Sequence, residues 1–156
     1  MTRRLWARCT RRRGWLLIGM LAVAGPVLGA CGGSADHEGH SASSVSVVLD
    51  NFKIDMPPVV HAGMIHFVVK NTGPTMHEFN VARSDLAPSE LPMRAAGIVD
   101  DTDPYRGFTH IGEVEGIDIG ERKTLTVTLS PGEYVVYCNM DGHYEAGMAE
   151  RVTVVR

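Results

Sequence analysis

Near its C-terminus the chain reads YCNMDGHYEAGM, from Tyr137 to Met148, and Cys138, His143 and Met148 follow one another with four residues between each pair. A thiolate, an imidazole and a thioether returned by one short loop form a soft donor set. Such a set suits the Cu(I)/Cu(II) couple better than Mg, Ca or a four-thiolate zinc site. A buried structural cysteine is the bland alternative, so the surroundings must decide. A trigonal copper site needs two imidazoles and one thiolate, with a weak axial thioether. A second histidine has to come from a distant strand, and NTGPTMHEFNV, residues 71–81, supplies His77 after a turn and at the start of an apolar alternation.

The elements that must position these residues read as strands. Residues 45–49, 64–69, 79–81, 123–129, 133–137 and 151–155 are short, rich in β-branched and aromatic residues, and often alternate. Leu125, Val127 and Leu129 fall on one face, with Thr124, Thr126 and Thr128 on the other. Gly and Pro turns at 61–63, 71–74, 119–121 and 130–132 separate the runs. Many short strands with regular turns indicate an all-β Greek-key sandwich. Alternation puts Tyr134, Val136 and Cys138 on one face, toward the core, so Cys138 sits at the inner end of a strand. Residues 85–107 are too long and polar for a hairpin. A short helical excursion is expected there, over 89–96 with Ser89 as its cap and Pro92 inside it. An excursion of this length either carries function or packs over one edge of the sandwich.

The run NTGPTMHEFNV, followed by SPGEYVVYCNMDGHYEAGM, resembles the cupredoxins, the small blue copper proteins that include plastocyanin, amicyanin and azurin. The resemblance spans nearly the whole domain from Val45, and the Pro-Gly-x-Tyr-x3-Cys-x4-His-x4-Met run is highly specific. It implies one copper per domain, with His77, Cys138 and His143 as equatorial ligands and Met148 as the axial one. Many members carry Asn or Asp after the first ligand histidine. Here that residue is Glu78, which affects the hydrogen bonds around the ligands.

The other candidates read differently. Met140 packs the loop or meets a partner, Met76 lies on the rim, and Tyr134 is structural. His66 and His110 lack ligand-like spacing and take strand or surface roles, while His61 is solvated in a turn.

The front of the chain places the thiol in a compartment. Residues 1–14 carry six arginines and no acid, and an apolar run follows to Ala30. This is an export signal of residues 1–30. Leu28-Gly29-Ala30-Cys31 resembles the lipobox of bacterial lipoproteins, which implies a lipidated Cys31, and Arg12-Arg13 loosely matches a twin-arginine signal. Residues 31–44, rich in Gly, Ser and Ala, read as a flexible tether in which His37 and His40 are solvated, and the domain runs from 45 to 156. Cys9 leaves with the signal and Cys31 is lipidated, so Cys138 is the one thiol left in the domain. An unpaired thiol in an oxidising compartment must be buried or bound.

Removing the signal takes six of the 15 basic residues and none of the 18 acidic ones, so the net charge falls from −3 to about −9. An acidic domain disfavours nucleic acid and suits a basic protein partner. Four protein donors leave no open position for a substrate, and no competing catalytic arrangement is present, so the expectation is not an enzyme. The sequence points to one-electron transfer at the outer face of the cell membrane, between redox partner proteins. The resemblance implies His143 as the exit, with Met140, Gly142, Tyr144, Ala146 and Gly147 around it and an acidic rim of Asp141 and Glu145. The alternative is a copper-delivery lipoprotein, favoured mildly by the six methionines that follow the signal.

Overall fold

Alternating apolar residues build two sheets in the computed structural model, which describes residues 42–101 and 107–156. The export signal, Cys31, His37 and His40 lie outside the described residues, as do residues 102–106 of the excursion. In Ser43–Asp50 (β1), Val45, Val47 and Leu49 are buried, while Ser44 and Ser46 face solvent. Gly63–Asn71 (β4) buries Ile65, Phe67 and Val69, and Arg122–Leu129 (β9) buries Leu125, Val127 and Leu129. With Lys53–Asp55 (β2) these strands form a sheet of order β2-β1-β4-β9. The first strand begins two residues before the expected start of the domain.

The second sheet has the order β3-β11-β10-β5-β8. It comprises Val59–His61 (β3), His77–Ser84 (β5), Phe108–Ile117 (β8), Gly132–Tyr137 (β10) and Ala149–Val155 (β11). In each sheet one pair runs parallel, β1 with β4 and β3 with β11, and the other pairs are antiparallel. Parallel neighbours cannot be joined by a hairpin, so the chain crosses between sheets, as a Greek-key sandwich requires. The inner faces meet in one apolar core, where the rings of Phe67 and Phe79 pack 5.4 Å apart across the sandwich. Each such buried ring contributes roughly 1.5–3 kcal/mol.

The excursion covers the other face of the second sheet. Strand β10 is buried on both faces: Tyr134 and Val136 join the main core, and Val135 and Tyr137 join a smaller one with Leu91, Val99, Phe108 and Tyr144. The helical character expected of the excursion is confined to two 3-10 turns, Pro88–Glu90 and Ala95–Gly97, and no continuous helix spans 89–96. Pro92 has no amide to donate, and Ala96 takes the left-handed φ of 70°. In its place a 3-10 turn at Pro88–Glu90 leads into Met93–Arg94 (β6), which pairs with Ile98–Val99 (β7).

Candidate metal centre

Strand register brings the sequence-predicted donors to one end of the sandwich. Tyr137 pairs with Asn80 on one side and Ala149 on the other, so the start of β5, the end of β10 and the start of β11 lie together. Cys138 and Met148 face each other across that end, and the Cys138 amide donates to the Met148 carbonyl at 3.1 Å. The Met148 amide donates to the His143 carbonyl at 3.1 Å, and the His143 amide to the Met140 carbonyl at 2.9 Å. The loop is thus held by its own backbone before any ion arrives.

His77 is presented by the turn ahead of it. Buried Asn71 donates to the carbonyls of Thr75 at 2.8 Å and Ile117 at 2.9 Å, and accepts from the Gly73 amide at 2.9 Å. A Cβ on Gly73 would stand 3.0 Å from His77 Nε2 and 3.1 Å from the Asp50 Cα, so a side chain there would push on the His77 ring or the Asp50 backbone. With Nε2 against the turn, Nδ1 faces Cys138.

His77 Nδ1 lies 3.7 Å from Cys138 Sγ, His143 Nδ1 lies 3.3 Å from it, and the two nitrogens are 3.2 Å apart. The point equidistant from three such atoms is about 2 Å from each, the length of a metal–imidazole bond. The Met148 side chain is fully buried in the same core cluster as Cys138. The donors therefore fit a copper ion in both chemistry and spacing.

Burial sets their protonation. It lowers the pKa of His77, helped by the nearby His143 and opposed by Asp50, and it lowers that of His143. Both shifts favour the neutral imidazole, the form that binds a metal ion. Burial pushes the Cys138 thiol up, opposed by the backbone amides of Glu78 and Met140. An incoming ion therefore displaces a thiol proton. The Glu78 carboxyl is pushed up by its own burial, then by Glu115 and Glu113.

The surroundings differ from expectation in one place. Tyr144 lines no surface patch: it is 5% exposed, its hydroxyl donates to the Pro88 carbonyl at 2.8 Å, and it accepts from the Leu91 amide at 2.9 Å. Asp141, Glu145, Ala146 and Gly147 are exposed, while Gly142 and Met140 are half-buried. Sequence reasoning missed Phe52, whose exposed ring stands edge-on to His143 at 5.1 Å. It also left open what the excursion does. The excursion is bonded to the ligand loop: Asn139 accepts from the Val99 amide at 2.7 Å, and the Gly142 amide donates to the Ala96 carbonyl at 3.2 Å. His66 meets the Thr126 hydroxyl from β4, in the strand role expected of it, whereas His61, expected in a turn, is the exposed last residue of β3 and meets the Arg156 carbonyl. His110 instead lies beside Asp101 and Glu113.

No family model matches the chain. It is 27% identical over 164 residues to the copper-resistant cuproprotein CopI of Pseudomonas aeruginosa, covering 89% of this chain and 91% of that protein. Among solved structures, auracyanin from Roseiflexus castenholzii superposes with a TM-score of 0.52 at 23% identity, covering 74% of this chain and 97% of its own. An azurin from Methylomonas sp. strain J gives 0.54 at 13% identity, over 73% and 98%. Reduced rusticyanin gives 0.52 at 15%, over 73% and 79%. The architecture anticipated from the ligand-loop sequence is therefore the one present: the chain has the cupredoxin fold, with a donor set that fits one copper ion.

Proposed function

We propose that the chain carries single electrons through a copper ion held by His77, Cys138 and His143, with Met148 as a weak axial donor. The observation that carries this reading is the triangle of thiol and imidazole donors with sides of 3.2–3.7 Å at the buried end of the sandwich. Copper bound there would supply a one-electron couple. The chain's own part is to hold the donors still: Asn71 and Gly73 fix His77, the loop backbone fixes His143 and Met148, and Asn139 ties the loop to the excursion. Little reorganisation then accompanies gain or loss of an electron. With no donor position left for substrate, the role is that of a carrier rather than an enzyme.

In this reading His143, half-buried beneath Phe52, is the exit toward a partner. The exposed carboxylates of Asp141 and Glu145 favour a basic redox protein, soluble or membrane-bound. The lipobox-like sequence at Cys31 supports anchoring at the extracytoplasmic face of the cell membrane. Visible absorption and EPR spectra of the copper-loaded protein test the centre. An intense thiolate-to-copper band with fast reversible reduction is expected, and a colourless protein refutes the assignment.

A second reading, copper handling, is favoured by the name of the Pseudomonas relative and by the exposed thioethers of Met64, Met76 and Met93. It requires ready release of Cu(I) to an acceptor. Retention of Cu(I) against a competing chelator over many redox cycles excludes it.

A further inference from the structure

We propose that Asp101, His110 and Glu113 form a second metal site, for a borderline divalent cation such as Zn(II) or Cu(II), between the excursion and the outer face of the second sheet. One donor atom from each residue lies within 4.8 Å of the other two. Residues three apart on a regular strand face opposite sides, and His110 and Glu113 would not meet. A bulge changes that: Val81 pairs with Gly112 and Ala82 with His110, which leaves Ile111 as an extra residue in β8. The inserted residue restores the parity, and His110 Nε2 comes to 3.5 Å from Glu113 Oε2. Bulges re-aim side chains in this way beside functional sites. Asp101 completes the set from the chain just after β7.

A second observation, independent of the carboxylates, points to a missing ligand. Among the described residues four buried side-chain polar atoms have no hydrogen bond. Two are His77 Nε2 and His110 Nε2, the latter 3.5 Å from the Glu113 carboxylate; the two that stand apart from any carboxylate contact are Asn80 Oδ1 and the Tyr137 hydroxyl. Asn80 is the cross-strand partner of both Tyr137 and Glu113, so these side chains lie in one row across β10, β5 and β8. Tyr137 and Asn80 are fully buried, and the Tyr137 hydroxyl lies in the field of Asp101, Glu113 and Glu78. Native interiors rarely leave such atoms orphaned. A hydrated cation held by the three donors would bring water to them.

The carboxylate side of the site is open and strongly negative. A cavity of about 430 Å³ opens over it, lined by Glu78, Asp101, Glu113, Glu115 and Asp141, with Arg94 the only basic residue among those described. One imidazole with carboxylate oxygens suits a borderline divalent ion, where the thiolate cluster suits a softer one.

The test uses the chain with His37→Ala and His40→Ala, loaded with one equivalent of copper, titrated with further Cu(II) and followed by EPR. A second equivalent is expected, with a tetragonal signal split by one nitrogen. The His110→Ala variant should lose it. Asp101→Asn with Glu113→Gln should weaken it by at least the roughly 10–100-fold that outer partners of a metal alone are worth. The thiolate band should be unchanged in all of them, which also reports that the variants fold. A single equivalent that gives the blue band with no nitrogen-split tetragonal signal, or that tetragonal signal persisting in His110→Ala, overturns the site. Should the thiolate cluster itself take no copper, the His110-dependent signal appears with the first equivalent and no blue band, so the two readings fail separately.

Discussion

The backbone amide of Glu78 donates to Cys138 Sγ at 3.3 Å, tying the strand that carries the first histidine to the thiol. The bond comes from the main chain, so it survives the replacement of the Asn or Asp that many cupredoxins carry there. What changes is charge. A carboxylate close to the centre favours Cu(II) over Cu(I) and lowers the reduction potential. Glu78→Gln should retain the blue band and raise the potential by on the order of 40 mV, equivalent to about 1 kcal/mol of Coulomb energy. Cyclic voltammetry reads this, and an unchanged potential would show that the Glu78 carboxyl is neutral or screened.

Cys138→Ser should remove the blue absorption entirely and leave the sandwich folded. The thiolate is the source of the colour, whereas the fold rests on the paired sheets and the core around Phe67 and Phe79. Placing a hydroxyl in this fully buried position costs about 1–3 kcal/mol, against a typical total of about 5–15 kcal/mol. Urea unfolding and a visible spectrum measure the two effects separately. A surviving band would mean that another residue supplies the thiolate's role.

Met148→Leu should keep copper and raise the potential. The side chain is fully buried, and leucine nearly conserves its volume, so the stability loss stays under about 1.5 kcal/mol. Removing a donor disfavours Cu(II) more than Cu(I), which tolerates low coordination. Loss of copper altogether would make Met148 an equatorial ligand rather than a weak axial one.

How much of this was readable in the sequence depended on periodicity. The inward direction of Cys138 followed from the alternation of Tyr134 and Val136, and the structure places all three in the main core. Tyr144 was misplaced because the ligand loop has no period, and its direction is fixed by turns such as the Gly147 amide donating to the Tyr144 carbonyl. The excursion's role was hidden because its bonds join residues some 40 to 56 positions apart. His110 shows no ligand-like spacing in the sequence because a bulge at Ile111, which alternation does not reveal, reverses which side chains share a face.

Metal-free protein should lose stability as the pH falls below about 6.5. Burial lowers the pKa of His77 and His143 in the folded state, while the unfolded chain takes up protons near the ordinary value of 6.5. Their contribution is complete above that value and declines toward the folded pKa values. Glu78 acts with the opposite sign: its raised pKa makes the folded state the better proton acceptor in the carboxylate range, so it offsets part of the loss at lower pH. Bound copper occupies the imidazole lone pairs and should deepen the acid loss, since protons then compete with the ion. Urea midpoints at about pH 7.5 and about pH 5.5 with and without copper test this, and the gap between the two forms should shrink as the pH falls. A gap independent of pH would mean that the histidines do not hold the ion.

Tyr144→Phe should loosen the excursion's hold on the ligand loop without touching a donor. The hydroxyl bridges the Pro88 carbonyl and the Leu91 amide, and its loss leaves the buried Leu91 amide short of a partner. A cost of about 1–3 kcal/mol follows, since an unsatisfied buried donor forfeits its solvation. The ring contact between Tyr144 and Tyr137 at 6.4 Å is kept, so the smaller core remains filled. Asn139 still ties the loop to Val99, and the backbone bond from Gly142 to Ala96 persists. The urea midpoint should therefore fall while the position of the blue band stays, and hydrogen exchange should quicken at Leu91 before it quickens at Val136 in the main core. Equal protection losses at both residues would mean that the excursion and the sandwich unfold as one unit, and that the bridge stabilises the whole domain rather than the cover over the second sheet.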